Sequence, residues 1–216
     1  MNISRLIVKS LLWGLFALLA IAIGIYPSLY FIVDRKFALL STKDDVLLAD
    51  LFWNIGFYAH IVPAGIALLV GWTQFISWIR INHLRVHRTV GKIYLTCVMI
   101  GAPAAIYIAF YATGGIPVAA GFLCLGIIWF STSLRAYHFI RNREIERHRR
   151  MMIYSYAACF AAVTLRIWLP LLSIWFPRGF TAYTIVAWLS WIPNIAVAWL
   201  ITRRIKMKEK AETVLS

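Results

Sequence analysis

The sequence predicts an all-α integral membrane protein with six transmembrane helices. Three observations support this prediction: the composition, six long apolar runs and an alternating distribution of basic residues. Of the 216 residues, 62% are hydrophobic and 14% are charged, and the mean hydropathy is +0.78, whereas a soluble domain is about half apolar and about a quarter charged. This composition excludes an ordinary water-soluble enzyme and a disordered chain.

Apolar runs of about 20 residues are long enough to cross about 30 Å of hydrocarbon as a helix. Six such runs predict spans 1 to 6 of a single transmembrane domain over residues 1–216. Their approximate bounds are residues 11–31, 51–78, 90–113, 117–140, 151–176 and 181–201. The first run follows a short basic start, but it is too long for a signal peptide and no A-x-A-like cleavage site follows it, so it is kept as a span.

Basic residues gather at alternate ends of the spans. One set of ends carries 17 Lys and Arg, whereas the other set carries only Arg35, Lys36, Lys43 and Arg178. Because cytoplasmic loops hold the Lys and Arg excess, this pattern predicts a bacterial cytoplasmic (inner) membrane protein with both termini in the cytoplasm. The net charge of +14 is therefore an orientation signal, and we expect the lipid bilayer rather than nucleic acid as the partner.

Small and polar residues recur at i, i+3, i+4 and i+7 along spans 2 to 5, and each of these stripes contains an ionisable side chain. Helices in lipid pack through small residues and turn polar side chains inward. Spans 1 and 6 have no ionisable residue inside them. The pattern predicts a central four-helix bundle of spans 2–5, with spans 1 and 6 peripheral.

Three histidines lie near the predicted cytoplasmic ends of their spans: His87, His138 and His148. Two imidazoles from different helices at one level, with arginines nearby for the propionates, meet the elementary requirement for one haem b with His87 and His148 as axial ligands. With His138 added, the cluster alternatively predicts a three-histidine zinc or copper site. The structural alternative is that these histidines hydrogen-bond to loop backbone and lipid headgroups.

A second polar layer lies deeper in the membrane. At 1.5 Å per residue, His60 and Arg166 each lie roughly 15 Å below the predicted outer end of their span. No Asp or Glu within the predicted spans neutralises Arg166, and a charge at that depth costs about 2.5 kcal/mol or more unless it is paired or hydrated. Together with Gln74, these residues are the predicted binding site for a quinone headgroup, an anionic lipid or a small anionic substrate. The structural alternative has Arg166 bonded to backbone carbonyls freed by Pro63, Pro103 and Pro170, or to the outer carboxylates Asp34, Asp44, Asp45 and Asp50.

Three stretches carry a family resemblance: the intramembrane His60 followed by GWTQF, LRVHRTVGKIY over residues 84–94, and HRRMMIYSYAACFAAVTLRIWLPLL over residues 148–172. Together they resemble an uncharacterised family of bacterial predicted membrane proteins, the domain-of-unknown-function 2306 type, over about residues 57–172. The resemblance implies that His60, His87, His148 and Arg166 are characteristic positions, and it implies no established activity.

The predicted bundle is also similar in outline to the cytochrome b561 class. Such cytochromes typically place histidine pairs at both membrane faces, whereas here the second layer has only His60, so one haem is the most that the sequence permits.

Three functions follow as hypotheses. The first is a small redox subunit, with haem b at His87 and His148 and quinone or lipid near His60 and Arg166. The second is a non-enzymatic binder or carrier of a small anionic or lipidic ligand. The third is a membrane assembly or scaffold subunit that docks partners through its arginine-rich loops.

Overall fold

The computed structural model describes residues 3–33, 36–176 and 180–215, with residues 180 and 208–215 described by their backbone alone. Within these ranges every regular element is helical, and six segments are long and apolar enough to cross a membrane. These segments are Ile3–Ile32, Leu51–Phe75, Leu84–Ala109, Ile116–Arg141, Ile145–Trp175 and Thr181–Met207. The predicted all-α fold with six spans is confirmed. Of the charged residues discussed above, Asp34, Arg35 and Arg178 lie outside the described residues.

Three spans begin earlier than their apolar runs, and the helix of span 1 does so at Ile3 rather than at residue 11. The helix of span 3 begins at Leu84 rather than at residue 90, and that of span 5 begins at Ile145 rather than at residue 151. The extensions of spans 3 and 5 are both rich in arginine and histidine. Hydropathy marks where hydrocarbon ends, whereas backbone hydrogen bonding continues the helix into the polar interface.

The chain divides into two compact units, Met1–Gly101 and Ala102–Ser216. The first unit contains five complete helices and the greater part of a sixth. They are α1 (Ile3–Ile25), α2 (Leu29–Ile32), α3 (Asp45–Ala49), α4 (Leu51–Gly71), α5 (Ser77–Asn82) and α6 (Leu84–Ala109), the last of which runs into the second unit. A 3-10 turn, Trp72–Phe75, ends span 2, so the helix of span 2 stops short of the predicted boundary at residue 78.

Aspartates begin the two helices after the first loop. The Asp44 side chain accepts a hydrogen bond from the backbone N–H of Leu47, and the Asp50 side chain accepts one from Trp53, each at 2.7 Å. These are N-cap contacts, which satisfy donors that the first helical turn leaves unpaired. Two of the outer carboxylates proposed as partners for Arg166 therefore cap helices.

Span 1 packs on span 2 through two glycines. A Cβ added at Gly65 would lie 2.7 Å from the carbonyl oxygen of Gly24, and one added at Gly24 would lie 3.0 Å from the oxygen of Gly65. The backbones of α1 and α4 therefore approach too closely for any side chain. Ala20 and Gly24 are the residues of α1 that are buried, which fits the peripheral position predicted for span 1.

The second unit contains five further helices. They are α7 (Ile116–Arg141), α8 (Ile145–Cys159), α9 (Ala161–Trp175), α10 (Phe180–Leu189) and α11 (Ile192–Leu215). Gly114 and Gly115 precede α7 with φ angles of +116° and +75°, a left-handed region in which glycine avoids a steric penalty. Span 6 packs directly on span 4, because a Cβ added at Gly121 would lie 2.9 Å from the carbonyl oxygen of Ala187.

Spans 5 and 6 are each interrupted. Span 5 breaks at Phe160, between α8 and α9, and span 6 breaks at Ser190 and Trp191, between α10 and α11. Pro193 follows the second break and has no N–H to donate to Leu189. Interrupted backbone at membrane depth needs polar partners from protein, because lipid supplies none.

Candidate functional site

His148 lies on the first turn of α8 and is partly buried. Its Nδ1 atom lies 2.9 Å from the carbonyl oxygen of Ala136 on α7. A carbonyl only accepts, so Nδ1 carries the proton and donates, and the ring orientation is fixed. Its Nε2 makes no hydrogen bond to any residue that the structure describes. Imidazoles that ligate metals typically donate their second ring N–H to a carbonyl or carboxylate in this way.

The contact between α7 and α8 holds this histidine in place. Ser133 and Ser155 are fully buried, and their Oγ atoms lie 2.6 Å apart. Ser133 also lies 2.7 Å from the carbonyl oxygen of Trp129. Because this pair joins the two helices two turns from His148, it fixes the register that aligns the imidazole with Ala136.

His138, the third histidine of this layer, is more exposed than His148 and has a different hydrogen-bond partner. It is exposed on α7, and its Nε2 accepts a hydrogen bond from the side-chain amide of Asn142 at 2.9 Å. No group of three or more His, Cys, Asp or Glu among the described residues is arranged to hold a metal ion. The three-histidine metal site therefore gains no support, whereas a haem needs only two imidazoles.

His87 lies on the first turn of α6 and is partly buried, with its Nδ1 shielded from solvent. It belongs to the first unit, whereas His148 belongs to the second. The pairing of these two imidazoles across one haem stays a prediction from the sequence.

His60 binds the neighbouring helix rather than pointing into lipid. Its Nδ1 lies 3.0 Å from the carbonyl oxygen of Gly101 on α6 and donates to it. A Cβ added at Gly101 would lie 3.5 Å from both the His60 carbonyl oxygen and Pro63 Cβ. These are ordinary van der Waals distances, so α4 and α6 pack side by side here and the imidazole of His60 reaches the backbone of α6. Pro103 frees the carbonyl of Met99 on α6. His60 nevertheless donates to the carbonyl of Gly101.

Arg166 lies partly buried on α9. Its Nη1 donates to the carbonyl oxygen of Ala162, one turn earlier in the same helix, at 2.9 Å. The side chain therefore folds back along its own helix, away from the end of span 5. A quinone, lipid or anionic ligand at His60 and Arg166 stays a prediction, because each side chain has a backbone acceptor that accounts for part of its bonding.

Gln74, the third predicted ligand-binding residue, is buried in the 3-10 turn that ends span 2. Its Oε1 faces α6, where a Cβ added at Gly91 would lie 3.4 Å away. Its Nε2 is buried and makes no hydrogen bond to any described residue. Gln74 therefore lies at the contact between spans 2 and 3, on the side that the stripe predicted.

The sequence prediction missed a polar cluster between spans 5 and 6. The amide nitrogen of Asn194 lies 3.1 Å from Thr164 Oγ1, 3.0 Å from the carbonyl oxygen of Ser190 and 3.3 Å from that of Ala157. Thr164 Oγ1 also donates to the Ser190 carbonyl. These bonds satisfy backbone groups at the two helix breaks. Asn194 and Thr164 do not ionise, so a prediction from ionisable residues does not include them. The Ser-x-x-Pro-Asn run of span 6 could have indicated the break.

Two clefts in the described part of the chain lie away from the predicted site residues. One, of about 790 Å³, is lined by residues of the loop between α2 and α4 and of α4 itself, including Lys36, Asp45 and Tyr58. The other, of about 400 Å³, is lined by residues at the turn between α6 and α7. The histidines and Arg166 line neither of them.

Comparison with known proteins gives a family. The family model described as "Predicted membrane protein (DUF2306)" matches residues 57–202, which covers the four spans of the resemblance and most of span 6. No curated protein and no solved structure matches the chain. The matched region includes His60, His87, His148 and Arg166. The chain thus belongs to the DUF2306 family of predicted membrane proteins.

Proposed function

We propose that this protein is a small membrane redox subunit that binds one haem b, which the imidazole of His148 would hold. The single observation that carries the proposal is the bond from His148 Nδ1 to the Ala136 carbonyl. It fixes the tautomer that leaves Nε2 as the electron-pair donor, which is the form that haem iron binds. His87 stays the second imidazole that the sequence predicts for this haem.

The residues beside His148 fit the charge of a haem. Arg150 lies two residues after His148, and Arg135 precedes the Ala136 acceptor. Arginine pairs well with carboxylates, so these side chains would hold the propionates. A bound haem would supply one-electron transfer, while the chain orients the imidazole through Ala136 and keeps it at the end of the α7–α8 pair.

The visible spectrum of the purified protein tests this proposal. After expression with adequate haem supply, we expect a Soret band in the wild type and its loss in His148→Ala. His138→Ala is the matched control, because His138 is exposed and its Nε2 is engaged by Asn142; it should keep the band. Circular dichroism checks that both variants are folded. A wild-type protein without Soret absorption would overturn the proposal.

We further propose the bacterial cytoplasmic membrane as the location, with both termini in the cytoplasm. The support is the distribution of cations, 17 at one set of span ends against four at the other. Reporter fusions test it: a C-terminal fluorescent protein should fold and fluoresce, whereas a C-terminal alkaline phosphatase should be inactive. Active phosphatase at the C-terminus would reverse the assigned orientation.

A further inference from the structure

The loop between α7 and α8 has an unusual residue at its tightest point. The N–H of Glu144 donates to the carbonyl of Phe139 at 2.9 Å, and the N–H of Arg143 donates to that of Ile140 at 3.1 Å. This pair of bonds is the Schellman motif, in which glycine usually occupies the left-handed position. Here Arg143 occupies it, with a φ of +62°. A side chain is penalised in that conformation, so the arginine is held at a cost to the fold.

The arginines of this loop divide into two groups by their ion pairs. On α8, Arg147 pairs with Glu144 at 2.5 Å and Arg149 pairs with Glu146 at 3.6 Å. Arg141 and Arg143 are exposed and form no ion pair with any residue in the described part of the chain. Glu144 and Glu146 are thus paired with arginines of α8. The charges of Arg141 and Arg143 are not neutralised by a carboxylate of the described residues.

Exposed apolar side chains flank these two cations. Ile140 is 39% exposed and Ile145 is 63% exposed. The loop joins two membrane-spanning helices through three residues, so it lies at the level where headgroups meet acyl chains. An anionic phospholipid satisfies both features, because its phosphate binds the cations and its chains cover the isoleucines. A free anion or a nucleic acid would leave the isoleucines uncovered.

We propose that Arg141 and Arg143 form a binding site for the phosphate of an anionic phospholipid in the leaflet that this loop faces, with Ile140 and Ile145 against its acyl chains. The left-handed conformation keeps Arg143 in the turn only two residues after Arg141, the last residue of α7, so the strained position supplies the site with its second cation. A glycine at residue 143 would relax the backbone and remove that guanidinium.

The experiment measures binding of phosphatidylglycerol to the full chain in detergent micelles by native mass spectrometry, with phosphatidylcholine as the zwitterionic comparison. Arg143→Gln removes the charge and keeps a side chain, whereas Arg143→Gly also relieves the strain. Arg88→Gln is the matched control, since it removes one exposed cation from α6. We expect each Arg143 variant to lower the affinity for phosphatidylglycerol about fivefold, as one cation near a membrane surface does, with Arg88→Gln unchanged.

A second readout separates strain from binding. In lipid-free detergent, Arg143→Gly should melt at a higher temperature than the wild type, and Arg143→Gln should not. Equal affinity of Arg143→Gln and the wild type would overturn the proposal, and so would an equal loss in Arg88→Gln. Equal binding of phosphatidylcholine, or displacement of the lipid by millimolar inorganic phosphate, would show that the site does not recognise an anionic lipid.

Discussion

The glycine crossing of α1 and α4 gives a prediction whose size follows from the structure. In Gly65→Ala the new Cβ would lie 2.7 Å from the Gly24 carbonyl oxygen and 2.9 Å from Pro27 Cγ, where ordinary contact begins at 3.4 Å. A backbone oxygen cannot rotate away, so the two helices must separate by about 0.7 Å. Overpacking of this kind costs about 1–3 kcal/mol, and the better helix propensity of alanine returns up to about 1 kcal/mol. The midpoints of these two ranges, about 2 kcal/mol lost and about 0.5 kcal/mol returned, give a net loss of about 1.5 kcal/mol.

The assay is unfolding in mixed micelles by titration with sodium dodecyl sulfate, followed by circular dichroism. Gly14→Ala is the matched control, because Gly14 lies inside α1 with nothing within 4 Å of an added Cβ. It should be as stable as the wild type or more stable by up to about 1 kcal/mol. Wild-type stability of Gly65→Ala, or an equal loss in Gly14→Ala, would refute the reasoning that backbone contact sets the crossing.

Three further predictions concern polar contacts. Ser133→Ala should cost about 0.5–1.5 kcal/mol through loss of the buried cross-helix bond to Ser155. A double-mutant cycle with Ser155→Ala measures the coupling, and full additivity would contradict it. His60→Phe should cost about 0.5–1.5 kcal/mol through loss of the bond to Gly101, as measured by the same denaturant titration, and no loss would contradict that bond. Burial lowers the pKa of Lys43 below its ordinary 10.5, so its charged form disfavours the fold; Lys43→Met should raise the melting temperature at pH 7, with an advantage that shrinks as the pH rises towards 10.5 and the wild type sheds the proton. An advantage that grows with pH would refute this sign.

The sequence was sufficient for the spans because transmembrane length and hydropathy are properties of single segments. It also predicted that Gln74 and His60 lie on packed faces, since a helix face is set by spacing alone. The acceptor of His60 was not predictable, because the choice of Gly101 over the freed carbonyl of Met99 depends on the register between two helices. No periodicity within one span contains that register.

The direction of Arg166 and the break in span 5 were beyond sequence reasoning for a related reason. Arginine reaches several turns in either direction, and only the packing around α9 selects the Ala162 carbonyl. Phe160 stands in a run with no proline or glycine nearby, so nothing local marks the interruption. Asn194 and Thr164 carry no charge, so a prediction based on ionisable residues does not include them, although they satisfy the backbone at that depth.

The interrupted spans also constrain how the protein enters the bilayer. At 1.5 Å per residue, the 15-residue helix α8 is about 22 Å long and the 10-residue helix α10 is about 15 Å long. These helices are the first halves of spans 5 and 6, and neither of them crosses about 30 Å of hydrocarbon unaided. The carbonyl of Ser190, buried at the break in span 6, accepts hydrogen bonds from Thr164 and Asn194. We therefore expect the last two segments to leave the translocon together as a hairpin, and a chain truncated before Asn194 to be retained there or degraded.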